Sequence, residues 1–593
     1  MTHSAIFATA RFAPGAAPPR RSLSGALCVL AALLAVSPLA RADSYREEIK
    51  REVHKTLPLK AGQRLEVEHS NGGIRLHTHA LPEVRVDVRI RVSSSDAEEA
   101  KRFADAIAVE IEPSASGVLV RTRYPDERHI PFAASRHVSF SVDCDILLPE
   151  TAAVSVRNRF GDVSAEGLKG GTEIRNANGR VLFRGGRGLA RLENSFGPLE
   201  LSGNAGDVDV TGANGVLTIA DVEGQLSARN RFGRVTIARV KRVTFSGTNS
   251  DVSLALSGAA SVTTSFGAVE ASGVSGDLSV QNNNGPVTAT GVSGDAELNA
   301  SFGPITFSDV KKSVRATGTN SKVSGRKVGG SAIVQNSFGA VELSEVGGPA
   351  EVQNANGSVR LREIHGSATV RNRFGEVDAS GIGGDATVSG GNAAVTLANV
   401  EGAVDVRNSF GAVSVTRAKK SVTVHSGNGS VSVSDAGGTT FIKTSFGLVE
   451  ASRIAGDLTI ENANGAVRVS DVRGFANVRT SFAAAALDGI RGAVEVDNQN
   501  GSVELKGTGA GSKGCSRVAV KTSFAPIRVS LPETAGYTVT ARTSFGKINS
   551  ELPVTMSGSA GSDSLLGKIG DGRCEVTLNN TNGNVDLLKQ AAR

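Results

Sequence analysis

The sequence predicts an all-β protein built as a parallel β-solenoid. Three observations carry that expectation: a strict internal period, a two-strand pattern within each period, and a composition suited to short strands and tight turns. Ten phenylalanines (Phe160, Phe196, Phe232, Phe266, Phe302, Phe338, Phe374, Phe410, Phe446, Phe482) alternate with ten asparagines (Asn178, Asn214, Asn249, Asn284, Asn320, Asn356, Asn392, Asn428, Asn464, Asn500). Neighbours in this combined series lie 18 residues apart, except for two 17-residue steps on either side of Asn249. So short and regular a period describes stacked coils rather than separate globular domains. The 593 residues include 70 Gly, no Trp and only 4 % aromatic residues, which suits strands joined by tight turns.

The coil pattern is counted from the Phe or Asn anchor as zero. Gly usually follows at +1, apolar residues recur at +3, +5, +8, +12 and +14, and a small polar residue stands at +16, as in Gly411, Val413, Val415, Ala418, Val422, Val424 and Ser426 after Phe410. Alternation at +3/+5 and at +12/+14 makes two strands, and the breaks at +1 and near +9/+10 make the turns. Left-handed hexapeptide helices place apolar residues six apart, a rule these offsets do not follow. A right-handed β-helix is expected from the chirality of parallel crossovers. With ~4.8 Å between coils, the rod from Phe160 to Asn500 is about 90 Å long.

The repeating unit is a pair of coils, 36 residues, in which a ring and an amide take turns. Rings two coils apart lie ~9.6 Å from each other, outside the ~4.5–7 Å of productive ring contact. The expectation is therefore a core ladder in which each of the ten rings spreads over the smaller Asn layers, with Asn178, Asn284, Asn356 and Asn464 among them. Asn also suits turns and coil-to-coil hydrogen-bonded ladders. An outward Asn row would instead suit sugar recognition.

Either side of the array the pattern changes. Residues 1–42 read as an export signal: Arg20 and Arg21 precede an apolar run from Ala26 to Val36, followed by Pro38 and the small-x-small site Ala40-Arg41-Ala42. Residues 43–150 read as an N-terminal α+β cap with one helix at about 96–107, which blunts the first coil against end-to-end pairing. Residues 151–506 are the regular coils, and 507–593 are irregular coils closing the stack as a C-terminal β cap. Aligning the two short coils with their neighbours places each missing residue near +10, so that edge tolerates length change.

Charge and cysteine usage limit the function classes. The formal net charge is +7, but Arg11, Arg20, Arg21 and Arg41 all precede the cleavage site with no acid beside them, leaving 7 − 4 = +3. Nucleic acid is not the implied partner. In an oxidising compartment Cys515 and Cys574 are a candidate disulfide, with three unpaired thiols as the alternative, and Cys144 reads as a small buried side chain. The basic pairs Lys241-Arg242, Lys311-Lys312 and Lys419-Lys420 stand on the length-tolerant edge. They read as solvated turn charges or as a spaced row for anionic glycan or phosphate-rich surface.

Catalysis finds little support. Polysaccharide-active β-helix enzymes gather carboxylates and cations in clefts built by long loops, and anchors spaced at 17 or 18 residues leave no room for such loops. Asp207, Asp209 and Asp251 are scattered outward positions. His69, His77 and His79 in the cap read as a surface cluster rather than a metal site, and neither a metal nor a cofactor is expected.

At the level of motifs the chain resembles the bacterial β-strand-repeat family of putative adhesins, a domain of unknown function found in exported envelope proteins. The resemblance rests on VSFSVDCDILLPETAAVSVRNRFGDV from Val138 to Val163, the reiterated NSFG and NANG turns, and AGYTVTARTSFGKINSELPV from Ala535 to Val554 followed by LLGKIGDG. It implies an exported β-helical rod and supplies no catalytic residues. Two non-enzymatic functions follow as expectations: an adhesin or glycan-binding surface, and a periplasmic structural or envelope-stress component that binds another protein.

Overall fold

The computed structural model describes residues 47–125, 138–508, 515–557 and 561–590. The export signal read at 1–42 lies outside these residues. The described chain is nearly all β, with one helix, and its centre is a parallel solenoid of two sheets. One sheet is formed by strands that end on the anchor, such as Ala350–Asn356. The other follows the +1/+2 turn, as in Val359–Ile364. Each strand pairs in parallel with its equivalents one coil before and one coil after: Phe338↔Asn356↔Phe374 in the anchor sheet and Val341↔Val359↔Val377 in the second.

The odd spacing +3, +5, +8 has a backbone cause. All twelve non-glycine residues with positive φ among the described residues, from Asp221 to Asp471 with φ of 50–59°, stand at +7, and eight further coils place Gly there with φ of 63–76°. A left-handed residue at +7 uses one position without exchanging sheet faces, so the inward side resumes at +8 instead of +7. Residues +3, +5, +8, +12 and +14 thus all face the core, where Val341, Leu343, Val346, Ala350 and Val352 are buried.

The anchors do not form the core ladder expected of them. The ten rings are 43–64 % exposed. The inward amides instead stand two residues earlier, at +16: Asn354 donates from Nδ2 to the Gly339 carbonyl (3.1 Å) and to the Gly357 carbonyl (3.2 Å), tying two successive corners together. That amide fills the corner of a narrow cross-section, and the ladder passes from Asn336↔Asn354 to Phe338↔Asn356 with the intervening pair omitted. The strand therefore kinks before the anchor, and the anchor side chain leaves the core. Gly at +1 is required by close approach: a Cβ on Gly357 (φ 137°) would lie 2.1 Å from the Gly339 carbonyl oxygen. Rings do pack inside at other positions. Phe183, Phe245 and Phe307 are fully buried, and Phe307 pairs with Gly325, whose hydrogen leaves the space a Cβ would take 2.1 Å from the ring.

The first short coil loses its residue between Val240 and Arg242, which lie opposite Val222 and Gln225 of the full-length coil before it, so the register shifts at the +9/+10 turn. At the N-terminal end, strand Glu83–Ser94 runs antiparallel to both Glu47–Pro58 and Ser139–Pro149. Helix Ala97–Ala106 is capped by the Asp96 side chain, and the Arg51 guanidinium closes its far end through the carbonyls of Ala104 (2.8 Å) and Ile107 (2.6 Å). Its Phe103 rests on Phe140 at 4.9 Å between centroids.

At the C-terminal end the order in space departs from the order in sequence. Cys574–Asn579 inserts between Val518–Thr522 and Tyr537–Arg542, and Val585–Lys589 inserts between Ile527–Leu531 and Ile548–Ser550. Ser564–Ile569 then pairs antiparallel with Tyr537–Arg542. A Cys515–Cys574 disulfide (Cα–Cα 6.0 Å) pins the inserted coil to the array.

Candidate functional site

The exposed anchors make one continuous row along the corner where each anchor strand meets the +1/+2 turn. Strand register sets successive anchors one coil apart, so rings recur every ~9.6 Å with an amide between them. Asn178 and Asn284 are half-buried and donate to the carbonyls of Arg159 (3.2 Å) and Ser265 (3.4 Å) of the preceding coil. Asn356 is half-buried and Asn464 exposed, so the four named amides sit on this outer edge and not in the core. The row extends at both ends, through Asn71, bridged to Phe160, and through Phe524 and Phe545, which are 64 % and 80 % exposed. The missed signal was the +16 position. Its small polar residue occupies the inward phase just before the turn, and the anchor cannot share that corner.

Beside this row, the outer face of the anchor sheet carries a polar groove of about 730 Å³ lined by Thr317, Gln335, Ser337, Gln353, Arg371 and Arg373 among others. These are +15 and +17 positions, so successive rungs present amide, hydroxyl and guanidinium groups at ~4.8 Å intervals. Arg371 and Gln353 both bond Glu351 Oε1, at 3.1 Å each, which holds their planar ends in fixed orientation.

The basic pairs Lys241-Arg242, Lys311-Lys312 and Lys419-Lys420 are exposed on the +9/+10 edge. They are separated by four and six coils, about 19 and 29 Å, too far for one small ligand. Lys419 is paired with Glu401, and Arg242 borders a second groove of about 560 Å³ that also contains Asp277, Asp295 and Glu297. Asp207 and Asp251 accept the backbone N–H of Gln225 (2.8 Å) and Ala268 (2.9 Å) one coil on, and Asp209 faces Arg191 at 3.6 Å. The +7 row is likewise knitted between coils: Arg239 to Asp221 (2.6 Å) and Arg453 to Asp435 (2.5 Å). These guanidiniums hold both carboxyls below the usual carboxylate range.

The cap histidines do not converge. His69 is buried against Thr122 (2.9 Å), and desolvation lowers its pKa from 6.5 to about 4. His77 faces Glu166 at 3.9 Å, and His79 accepts from the Leu81 N–H at 3.0 Å. Among the described residues no group of three or more His, Cys, Asp or Glu side chains could hold a metal ion. Cys144 is buried, and desolvation pushes its thiol up to about 12. No helix among the described residues is long and apolar enough to cross a membrane.

Residues 395–588, less than half of the chain, match the family model Toastrack DUF4097, a domain of unknown function. No curated protein matches the chain. Among solved structures, the crystal structure of a putative cell adhesion protein from Clostridium sporogenes is similar at 8 % identity and a TM-score of 0.12, covering 49 % of this chain and 99 % of that one.

Proposed function

We propose that the protein is an exported, non-enzymatic rod of the cell envelope, periplasmic or extracellular, that acts as an adhesin-like binder of surface glycan. The observation that carries this reading is the groove of Gln335, Gln353 and Arg371 with the hydroxyls of Thr317 and Ser337. The Gln353 amide and the Arg371 guanidinium, both held by Glu351, match the paired hydroxyls of a sugar ring, and the regular rungs offer an extended chain several equivalent contacts. The carboxyls of Asp221 and Asp435 are tied to arginines of the next coil and His69 is buried at the N-terminal end, which supports a structural rather than an acid–base role for these groups.

The test is glycan-array and whole-cell binding by the purified exported chain, alongside a Gln335→Ala/Gln353→Ala/Arg371→Ala variant. Binding that the variant loses supports the proposal. A blank array from a correctly folded rod overturns it, and crosslinking in the native envelope that captures a protein through the N-terminal cap would favour a structural or regulatory role.

A further inference from the structure

We propose that the Phe and Asn row is a self-complementary zipper that pairs two copies of this chain side by side, running in opposite directions. It borders the polar groove, with which it shares the residues immediately before the anchors. The first argument is area. Ten rings, each about half exposed, present roughly 1,000 Å² of apolar surface at ~200 Å² per ring. That exceeds the few hundred Å² tolerated on a monomer and is comparable to the ~800 Å² per partner of a stable interface.

The second argument is period. Rings ~9.6 Å apart leave a gap over every Asn, and a partner ring seated in that gap lies ~4.8 Å from the rings on either side, within the range of ring contact. A second copy brings a row of the same period. A two-fold axis across the rods, midway between Asn320 and Phe338, carries every anchor Phe of one copy onto an anchor Asn of the other: Phe338 onto Asn320, Phe302 onto Asn356, Phe160 onto Asn500. The contact is isologous and closes at two copies. A two-fold axis along the rods would set each ring against its own copy and leave amide over amide, with no interdigitation.

The third argument is the flanks. From Phe266 onward the residue before each anchor and the residue two after it are mostly Ser, Ala, Gly, Thr or Pro, low enough for two backbones to approach. The charges that do border the row lie mainly in its first coils. In the antiparallel arrangement they meet neutral residues of the partner's opposite end: Arg159 faces Gln499, Arg231 faces Gly427 and Arg234 faces Ser430. No like charges are brought together at these positions.

Analytical ultracentrifugation of the purified exported chain is expected to give the mass of a dimer at micromolar concentration. Phe302→Ser/Phe338→Ser/Phe374→Ser should weaken that association at least tenfold while leaving the circular-dichroism melting curve of the dissociated chain in place, since these rings are exposed. Disulfide trapping reads the direction: a mixture of Ser195→Cys and Ala463→Cys chains crosslinks, and either alone does not. A wild type that stays monomeric overturns the proposal, as does a dimer indifferent to the three serines or crosslinking of either single variant with itself. Glycan binding by a monomer that those serines abolish would assign the row to a sugar chain and also overturns it.

Discussion

At the scale of single residues, the left-handed position +7 and the inward amide at +16 do the geometric work of the coil. Leu256 adopts φ 50° with its side chain 64 % exposed, so it bears the left-handed penalty with little packing in return. Leu256→Gly should therefore stabilise the chain by about 0.5–1 kcal/mol, the strain relieved being partly offset by glycine's unfolded-state entropy. Urea unfolding would show this as a rightward shift of the midpoint. The two kinds of ring separate just as clearly. Phe307→Ala empties a site sealed by Gly325 and should cost about 3–5 kcal/mol. Phe338→Ala, on the exposed row, should cost under ~1 kcal/mol when measured below the concentration at which copies associate. Equal losses from the two substitutions would mean that the exposed ring is packed after all.

At the scale of elements, the caps close what the coils leave open. In the N-terminal cap His69 is neutral when folded, its pKa lowered from 6.5 to about 4. The unfolded chain therefore binds the extra proton first. Stability is fully present above pH 6.5 and falls as the pH drops toward 4, by on the order of 3 kcal/mol in all. His69→Gln should flatten that decline in acid denaturation followed by the near-ultraviolet signal. In the C-terminal cap, the Cys515–Cys574 bond closes a loop of 59 residues in sequence. In the loop-entropy picture its removal costs ~4 kcal/mol. Cys515→Ser/Cys574→Ser should release the inserted coil first, seen as proteolytic cleavage after Leu531 long before the array is cut.

At the scale of the whole molecule, stability is a sum over coils and their neighbours. Excising Gly339 to Phe374 removes one complete pair of coils, and the new junction, Phe338 to Gly375, repeats the natural Phe-Gly step. That variant should fold and be shorter by ~9.6 Å in small-angle scattering, with alternation preserved along the row. An aggregated or unfolded product would show that the coils are not interchangeable. The same additivity gives the row its reach, because each coil contributes one anchor to the outer edge at a fixed interval.

The period, the parallel two-strand coil, the turn at +1 and the tolerant edge near +10 are all legible in the chain, because each follows from local alternation and glycine placement. The sequence also marked Cys515 and Cys574 as a candidate pair, the pair that is bonded in the structure. It did not reveal which way the anchors face. By parity Phe338 continues the inward phase of Val334 and Asn336, and only the tertiary structure shows the corner amide claiming that space and turning the ring outward. The left-handed step at +7 was hidden for a related reason. Residues as different as Arg417, Glu363 and Leu256 adopt it, so what selects the conformation is the closure of the coil against its neighbours rather than the residue's own preference. The insertion of Cys574–Asn579 out of sequence order was equally silent, since it rests on pairing between distant strands. The candidate surfaces follow from these tertiary choices: the period was legible in the chain, but the rings and the groove became a surface only once the corners were packed.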